Sequence, residues 1–352
     1  MNSVTTQEVN TKHIVRPMIQ AACIVLSVLA IFFIVQYRIQ HATIDDPMPS
    51  IMPFNEASKA AFGDYAQQVQ VGLYINAFDT FDMVNNKFDF TGILWFLYYP
   101  DAVSLKTLDA CMIEQGTISY KSAPDTRLID DLLFVRYIIR AQIKDLFNYT
   151  FFPLDGHQLN ITLSNPFVSP SEVMFHSDKR IFIDRTDVRD EGWQLLDTHV
   201  TTGYQSAILD PTQKRTEIAY PVCNFSIDYI RYGLRYLLSI MLPLLLLFYL
   251  ALFSLSWDTL LGSYGGVNLT TIALTATLSY RFVIESLSPK TGYFTLADYL
   301  FFLFLIADGL LFIIAVIDLY ARRLSAWEKY VVLIISHLII LSGCVYLFLF
   351  HA

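Results

Sequence analysis

Charge is scarce in this sequence. Only 16% of the 352 residues are charged, whereas about 25% is usual for a soluble domain. Four cysteines are too few for a disulfide scaffold, and 14 glycines with 13 prolines are too few for a collagen-like chain. The hydrophobic share of 54% excludes an intrinsically disordered chain and argues against a purely soluble enzyme. Because this share is still too small for a protein that lies wholly in lipid, the composition predicts one membrane part and one globular part.

Several signatures of chemistry are missing as well. The sequence has no glycine-rich phosphate loop and no alternation of strands with helices, which disfavours a nucleotide-binding fold. No Cys or His spacing indicates zinc, and no nucleophile lies in a recognisable set with a base. We therefore expect no enzymatic activity, no cofactor, no metal site and no nucleic-acid partner. Cys111 and Cys223 could pair or stay free, and the sequence leaves both possibilities open.

The apolar residues are concentrated in five runs. Each run reaches the roughly 20 residues that cross a hydrocarbon core. The runs cover residues 18–37, 233–256, 267–287, 296–320 and 330–350. The first could be a secretory signal, but its apolar core is long and its cleavage site poor, which favours an uncleaved anchor. The other four predict a transmembrane domain over residues 233–352.

Basic residues indicate which side of the membrane each part occupies. Lys12 and Arg16 precede the first run, and Arg322, Arg323 and Lys329 lie in the short link between the last two. Since basic residues favour the cytoplasmic side, residues 1–17 and that link are predicted to be cytoplasmic. The long segment 38–232 is then extracellular or periplasmic. We expect a multi-pass protein of the cell (inner) membrane, in contact with membrane lipid.

The outer segment has the pattern of a β protein. After a proline-containing linker over residues 38–68, residues 70–81 and 88–99 are rich in aromatic and β-branched residues, with Asn85 and Asn86 as a turn between them. Further runs of this kind cover residues 134–143, 158–163, 179–183, 192–202 and 222–229. Their spacing is typical of a β-sandwich. The predicted fold class is therefore a β + α membrane protein, with an extracellular β-sandwich over residues 69–232, a four-helix transmembrane bundle and an additional N-terminal transmembrane helix.

One predicted span, residues 267–287, is rich in Thr and Ser. At 100° per residue, one line along this helix carries a mostly polar stripe of six residues: Asn268, Ile272, Thr275, Ser279, Phe282 and Ser286. Lipid cannot satisfy polar groups, so the stripe must face protein or water. Two interpretations follow: the stripe lines a hydrated pore, or its hydroxyls bond back to their own helix and mediate close packing.

Three motifs resemble the pentameric ligand-gated ion channels, and in particular their prokaryotic members. Residues 149–163 (YTFFPLDGHQLNITL) resemble the loop before the seventh strand, and residues 231–243 (RYGLRYLLSIMLP) the junction into the first bundle helix. Residues 288–298 (SPKTGYFTLAD) are similar to the outer loop between the second and third helices, and Gly192-Trp193 matches a pair found in prokaryotic members. The paired cysteines of the animal receptors are missing, and the stretch 99–134 is shorter than the family's third to fifth strands. The extra N-terminal span is unusual for the family.

This resemblance implies a homopentamer that conducts ions through a pore lined by helix 267–287, gated by a small-molecule agonist or by protons. Glu285 at the outer mouth and the net charge of −8 favour monovalent cations, whereas residues 263–266 at the inner mouth contain no acid. Ile272 and Phe282 could form rings that gate by dewetting. The rival hypothesis is a non-conducting, membrane-anchored receptor of the same fold that signals through a partner.

By match with the family, coupling between the domains is expected from seven residues: Asp82, Pro153, Asp155, Arg231, Pro289, Lys290 and Tyr293. A planar guanidinium such as that of Arg231 can hold two carboxylates, either as a switch or as a permanent fastening. The aromatic residues that could hold a cationic agonist at the subunit boundary are Tyr204, Tyr220, Trp95 and Tyr98, although such residues in a sandwich are often core. Asp308 and His337 lie inside spans, where they could sense protons or simply hydrogen-bond within the bundle.

Overall fold

The computed structural model describes residues 3–350, except 42, 57, 59–61, 63–65, 83–84, 186–191, 209–216, 257–263 and 322. The chain divides into two compact units. One contains Met1–Thr43, Tyr149–Asp155 and Tyr232–Ala352, and the other contains Ile44–Asn148 and Gly156–Arg231. The first is helical and the second is built from strands. β-Sheets together with five apolar helices of membrane-spanning length therefore make up the fold.

The described residues of the helical unit form five long helices. They are α1 (Ser3–Gln40), α3 (Gly233–Ser256), α4 (Gly265–Leu287), α5 (Leu296–Val316, continued by a π-helical turn over Ile317–Ala321) and α6 (Ala326–Leu349). All five are long and apolar enough to cross a membrane, with α4 the least hydrophobic. A helix long and apolar enough to cross a membrane is thus present at each of the five predicted runs. The bounds agree within about four residues, except that α1 begins at Ser3, well before the predicted start at residue 18.

Helix α1 is a packed element of this unit. It contacts α6 and, less extensively, α3. Its buried side chains recur at helical spacing, namely Gln20, Ser27, Ile31 and Val35. The Ser27 hydroxyl lies 2.8 Å from the Tyr249 hydroxyl of α3. The predicted anchor is therefore docked along one face.

The described residues of the strand unit include these elements: β1 (Gln67–Asp82), β2 (Lys87–Tyr98), the short helix α2 (Leu105–Asp109), β3 (Met112–Ile113), β4 (Gly116–Lys121), β5 (Asp125–Ile129), β6 (Leu132–Lys144), β7 (Gly156–Ser164), β8 (Val173–His176), β9 (Phe182–Asp184), β10 (Trp193–Ile208) and β11 (Glu217–Arg231). One sheet has seven strands in the order β4-β6-β2-β1-β8, with β5 beside β6 and β9 beside β1. The other has the order β10-β11-β7-β3. The larger sheet is mixed, because β8 and β9 run parallel to β1.

Aromatic side chains fill the core of this unit. The Phe78 ring of β1 lies 6.2 Å from that of Tyr229 on β11, and the Phe182 ring lies 5.1 Å from that of Phe225. Such contacts between rings add to the free energy gained by burying them. Cys111 and Cys223 are both buried free thiols, so they do not pair. Burial raises the pKa of Cys111 to about 12, which keeps this thiol protonated and inert.

Most of the predicted strands are present, and two expectations need correction. The β1–β2 hairpin turns at Asn85 and Asn86 as expected, with Asn86 at a φ of 56°. The stretch 179–183, predicted as a strand, begins as a 3₁₀ turn at Lys179–Ile181, because the Asp178 carboxylate accepts a hydrogen bond from the Arg180 amide at 2.8 Å. Three short strands, β3 to β5, lie in the stretch 100–131, where the sequence pattern predicts none.

Part of the predicted linker 38–68 packs against the smaller sheet. Residues 44–52 form an extended segment, which we call the strap. Near its start, Asp46 accepts hydrogen bonds from the backbone amides of Asn148 (2.6 Å) and Gln158 (2.8 Å). At its end, Met52 exchanges two backbone hydrogen bonds with Tyr204 of β10. The strap is thus fixed at both ends.

Candidate functional site

Helix α4 presents its polar stripe on its exposed side. All six stripe residues are exposed: Asn268, Ile272, Thr275, Ser279, Phe282 and Ser286. The opposite side, with Thr270, Ala273, Thr277 and Ile284, is buried. The exposed sides of α3, α5 and α6 carry mainly Leu, Ile and aromatic residues instead. Compared with α3, α5 and α6, α4 therefore shows the face least suited to lipid.

The hydroxyls of this face also bond to their own helix. Ser279 Oγ donates to the Thr275 carbonyl at 2.9 Å, and Ser286 Oγ donates to the Val283 carbonyl at 2.7 Å. Thr271, which lies beside the stripe, donates to the Val267 carbonyl at 2.7 Å. A hydroxyl that donates once keeps two acceptor lone pairs. The back-bonding expected from sequence is present, and it leaves oxygen atoms on the exposed side.

A buried polar contact fixes the side of α4 that faces α5. Thr277 Oγ1 donates to Asp308 Oδ2 at 2.6 Å, and both side chains are 0% exposed. The other carboxylate oxygen of Asp308 has no hydrogen-bond partner among the residues that the structure describes. Asp308, a predicted proton sensor, is therefore a contact between helices on the side opposite the stripe. The sequence analysis did not predict a role for Thr277, because this residue lies outside the stripe.

Arg281 organises the charges at the C-terminal end of α4. Its Nε donates to Glu285 at 3.0 Å, and its guanidinium also bonds the Asp298 carboxylate. The second oxygen of Asp298 accepts the Thr295 amide at 2.7 Å and so caps α5. Glu285 is thus paired, and the three side chains together carry about one negative charge at neutral pH. The i,i+4 spacing of Arg281 and Glu285 on a helix would have allowed this ion pair to be predicted from the sequence. Ser263, which the sequence analysis expects at the inner mouth of a pore, lies outside the described residues.

The Phe-Pro segment Tyr149–Asp155 belongs to the helical unit. The carbonyls of Thr150 and Phe152 accept hydrogen bonds from the first amides of α5, at 2.8 and 3.1 Å. These amides have no partner within their own helix, so the segment stabilises the start of α5. The Tyr149 amide donates to the Tyr293 hydroxyl at 2.9 Å. The sequence motifs 149–163 and 288–298 are therefore in contact with each other.

Pro153 lies against the first turn of α3. A Cβ at Gly233 would come within 2.2 Å of the Pro153 carbonyl oxygen, so only glycine allows this approach. In the loop between α4 and α5, Pro289 is buried and Lys290 is exposed. Of the predicted coupling residues, Pro153 thus lies against the start of α3, and Tyr293 contacts Tyr149 of the Phe-Pro segment.

The remaining coupling candidates are placed as follows. Asp82 accepts two hydrogen bonds from Asn85, at 2.7 and 3.2 Å, and so belongs to the β1–β2 turn. Asp155 is buried, with 2% exposure. The Arg231 guanidinium lies 4.2 Å from the centre of the Trp193 ring, a cation–π contact at the end of β11. The expected pairing of Arg231 with carboxylates stays a prediction.

The four aromatic candidates for an agonist site do not form one cluster. Strand β2 alternates between buried and half-exposed residues, so Tyr98, at 1% exposure, and the half-exposed Trp95 lie on opposite faces. Gln205 lies opposite Tyr220 in the β10–β11 ladder, which puts Tyr204 and Tyr220 on opposite faces as well. The tip of the loop between them, 209–216, lies outside the described residues.

His337, the second predicted proton sensor, packs among aromatic rings. Its ring centre is 5.8 Å from that of Tyr249 and 6.2 Å from that of Phe248. The imidazole is 7% exposed, and neither nitrogen has a hydrogen-bond partner in the described part of the chain. Asp308 bonds α4, whereas His337 packs against α3, so the two residues occupy different contacts.

The sequence was compared with known protein families and with curated proteins. No protein-family model matches the sequence, and no curated protein matches it significantly.

Proposed function

We propose that this chain is one subunit of an ion channel in which α4 lines the pore. The observation that carries the proposal is the polar stripe on the exposed side of a helix long enough to cross a membrane. In lipid this side would be costly, because hydrocarbon satisfies no polar group. Copies of the chain arranged around an axis would turn the stripe towards water. The resemblance of the three motifs supports five copies.

Within this proposal, the strand unit is the extracellular or periplasmic β-sandwich and α3 to α6 form the bundle. Contacts between β1 and β11 support two sheets packed face to face. The hydrogen bonds from α5 to Thr150 and Phe152 support a coupling role for the Phe-Pro segment, since this segment connects strands β6 and β7. An agonist or protons would act through these contacts.

The two large apolar residues of the stripe are candidates for the gate. Ile272 is 58% exposed and Phe282 is 76% exposed, so both project from the same side as the hydroxyls. A ring of such side chains closes a pore by expelling water from it. Replacement of Phe282 with Ser would therefore leave the channel open in the absence of a stimulus.

Accessibility of the stripe to water tests the proposal. In a Cys23→Ser background, where the other three native thiols are buried, Ser279→Cys places a thiol on the stripe. Ile335→Cys, on the exposed side of α6, is the matched control. Purified protein in liposomes is assayed for cation flux over acidic to neutral pH and with candidate amines. A permeant, positively charged thiol reagent should block flux through Ser279→Cys and leave Ile335→Cys unaffected.

Two results would count against conduction. Flux blocked equally in both variants would mean that α4 does not line the pathway. Five-fold particles in electron micrographs that conduct under no condition would instead favour the membrane-anchored receptor.

A further inference from the structure

The Phe-Pro segment Tyr149–Asp155 has a neck, where the chain that enters it and the chain that leaves it are held together. The chain enters the segment at Asn148 and leaves it into strand β7 at residues 156–158. The backbone amides of Asn148 and Gln158 bond the same carboxylate, that of Asp46, at 2.6 and 2.8 Å. Closing a loop costs chain entropy, so these two bonds limit how far the ends of the segment can separate.

Asp46 belongs to the strap, residues 44–52, and not to the segment itself. Each of its two oxygens accepts one of the amides, and Nδ1 of His157 lies 3.1 Å from Oδ2. The side chains of Asp46 and His157 are 2% and 0% exposed. Hydrogen bonds to a carboxylate are about twice as strong as those between neutral groups, and burial keeps competing water away from them. A single buried carboxylate therefore clasps the neck.

The local sequence favours this placement of the carboxylate. Asp46 precedes Pro47, and a residue before proline is restricted to extended backbone conformations. The first residue of the strap, Ile44, packs against the other side of the neck: a Cβ at Gly156 would come within 3.0 Å of Ile44 Cγ1. The strap thus contacts the neck through both an apolar and a charged side chain.

Asp145 ties the neck at a second level. It lies in the chain that leads into the segment, and its carboxylate accepts the amides of Leu146 (2.9 Å) and of Asn160 on β7 (3.0 Å). Asp145 is 8% exposed, and this burial raises its pKa. Asp46, by contrast, makes the N-terminal part of the chain a component of the neck.

The segment beyond the neck stabilises the start of α5. The carbonyls of Thr150 and Phe152 accept the amides of Leu296 and Ala297, at 2.8 and 3.1 Å. Thr150 is only two residues from Asn148, so a shift of Asn148 moves the first of these carbonyls as well. Because a hydrogen bond weakens steeply as its length and angle change, the bonds to α5 depend on a fixed neck.

We propose that Asp46 is a positioning residue for the Phe-Pro segment: by clasping the neck, it keeps the carbonyls of Thr150 and Phe152 on the first amides of α5. The strap begins four residues after the end of α1, so this clasp gives the chain that follows the additional N-terminal helix a role in coupling. One consequence rests on the proposed channel function: a looser clasp should weaken the control of flux by a stimulus.

Hydrogen exchange followed by mass spectrometry tests the proposal on the detergent-solubilised full chain. In Asp46→Ala, the amides of Leu296 and Ala297 should exchange at least about fivefold faster, the factor that corresponds to the net contribution of one hydrogen bond. Amides in the middle of α6, in the same helical unit, should exchange as in the unchanged protein. A role of Asp46 in stability alone would instead raise exchange in both helices or in neither.

Gly203→Ala is the matched control, because it strains the same strap at its other end. The new Cβ would come within 2.2 Å of the Met52 carbonyl oxygen, and the start of α5 should stay protected. Asp46→Asn keeps one oxygen acceptor and should give an intermediate rate. This second variant keeps the test decisive if Asp46→Ala does not fold.

Three results would overturn the proposal: the start of α5 exchanges in both Asp46 variants as in the unchanged protein, α6 gains exchange to the same extent, or Gly203→Ala has the same effect as Asp46→Asn. Cation flux from liposomes is a separate readout. The ratio of stimulated to basal flux should fall in Asp46→Asn and not in Gly203→Ala. If the unchanged protein conducts under no condition, the proposed channel function fails, and the exchange experiment still decides the role of Asp46.

Discussion

Removal of the Asp46 carboxylate is the sharpest perturbation of the strap. Asp46 lies in a segment that the sequence predicts as a linker, yet its side chain is 2% exposed and that of His157 is 0% exposed. Three donors converge on it: the amides of Asn148 and Gln158 and the imidazole of His157. In Asp46→Ala all three lose their acceptor at once.

The expected cost follows from the number of donors. A buried donor left without a partner costs about 1–3 kcal/mol. The net contribution of a single hydrogen bond is smaller, about 1 kcal/mol, so loss of the three hydrogen bonds to Asp46 is expected to cost about 3 kcal/mol. A loss of about 3 kcal/mol lowers the melting temperature of a unit of this size by about 6–12 °C. Asp46→Asn retains one oxygen acceptor and should lose roughly half as much.

Hydrogen exchange followed by mass spectrometry localises the effect. In Asp46→Ala the amides of Asn148 and Gln158 should exchange at least about tenfold faster, since their hydrogen bonds no longer limit opening. Asp45→Ala is the matched control, because Asp45 is the preceding residue and is exposed. Equal exchange and equal melting temperatures in the two variants would refute the reasoning that Asp46 fixes the strap.

Three further outcomes are expected. Gly203→Ala should lower the melting temperature by an amount equivalent to about 1–3 kcal/mol, because its Cβ would collide with the Met52 backbone. Thr277→Val should cost a similar amount in thermal unfolding in detergent, because it leaves Asp308 buried without its donor. Asp145→Asn should flatten the pH dependence of stability: the raised pKa of Asp145 means that the folded state gains stability as pH falls through that pKa, and Asn cannot titrate.

Each of these variants has a control in the same chain. Gly292→Ala introduces a Cβ with no atom within 4 Å and should melt as the unchanged protein does. Thr271→Val removes an exposed hydroxyl that bonds its own helix, and it should cost less than Thr277→Val. The control for Asp145→Asn is Asp178→Asn, since hydrogen bonds to Arg180 lower the pKa of Asp178 to about 2. Ionised Asp178 stabilises the folded state, and this stabilisation is lost as pH falls through its pKa. Asp178→Asn should therefore change the pH dependence of stability in the opposite direction to Asp145→Asn. If a control changes the stability as much as its partner variant does, the corresponding argument is wrong.

The sequence predicts the membrane helices well because their signal is local. A run of about 20 apolar residues is recognisable without knowledge of its neighbours, and the bounds 233–256 agree with α3 at both ends. The long strands are equally readable from alternation, as β2 shows. The sequence pattern does not predict the short strands β3 to β5, because such strands depend on pairing with a neighbouring strand. Strands β4 and β5, for example, both pair with β6.

The separation of two agonist-site candidates was readable from the sequence. Trp95 and Tyr98 are three residues apart, and on a strand an odd separation puts side chains on opposite faces. This rule alone argues against placing the two residues in one site. The strap is a different case: its position depends on Asp46 meeting amides about 100 residues away in sequence, and no local pattern indicates such a contact.

The two interpretations of the polar stripe turn out to be compatible, and together they bear on ion selectivity. Ser279 and Ser286 use their hydrogens on carbonyls of their own helix. What each hydroxyl presents to the exposed side is therefore an oxygen with free lone pairs. In the proposed channel, rings of such oxygens would replace part of the hydration shell of a cation, as carbonyl rings do in cation filters, and would offer an anion no donor. Since Glu285 is already paired with Arg281, we expect these hydroxyl oxygens, rather than the acid at the mouth, to favour cations in the proposed pore.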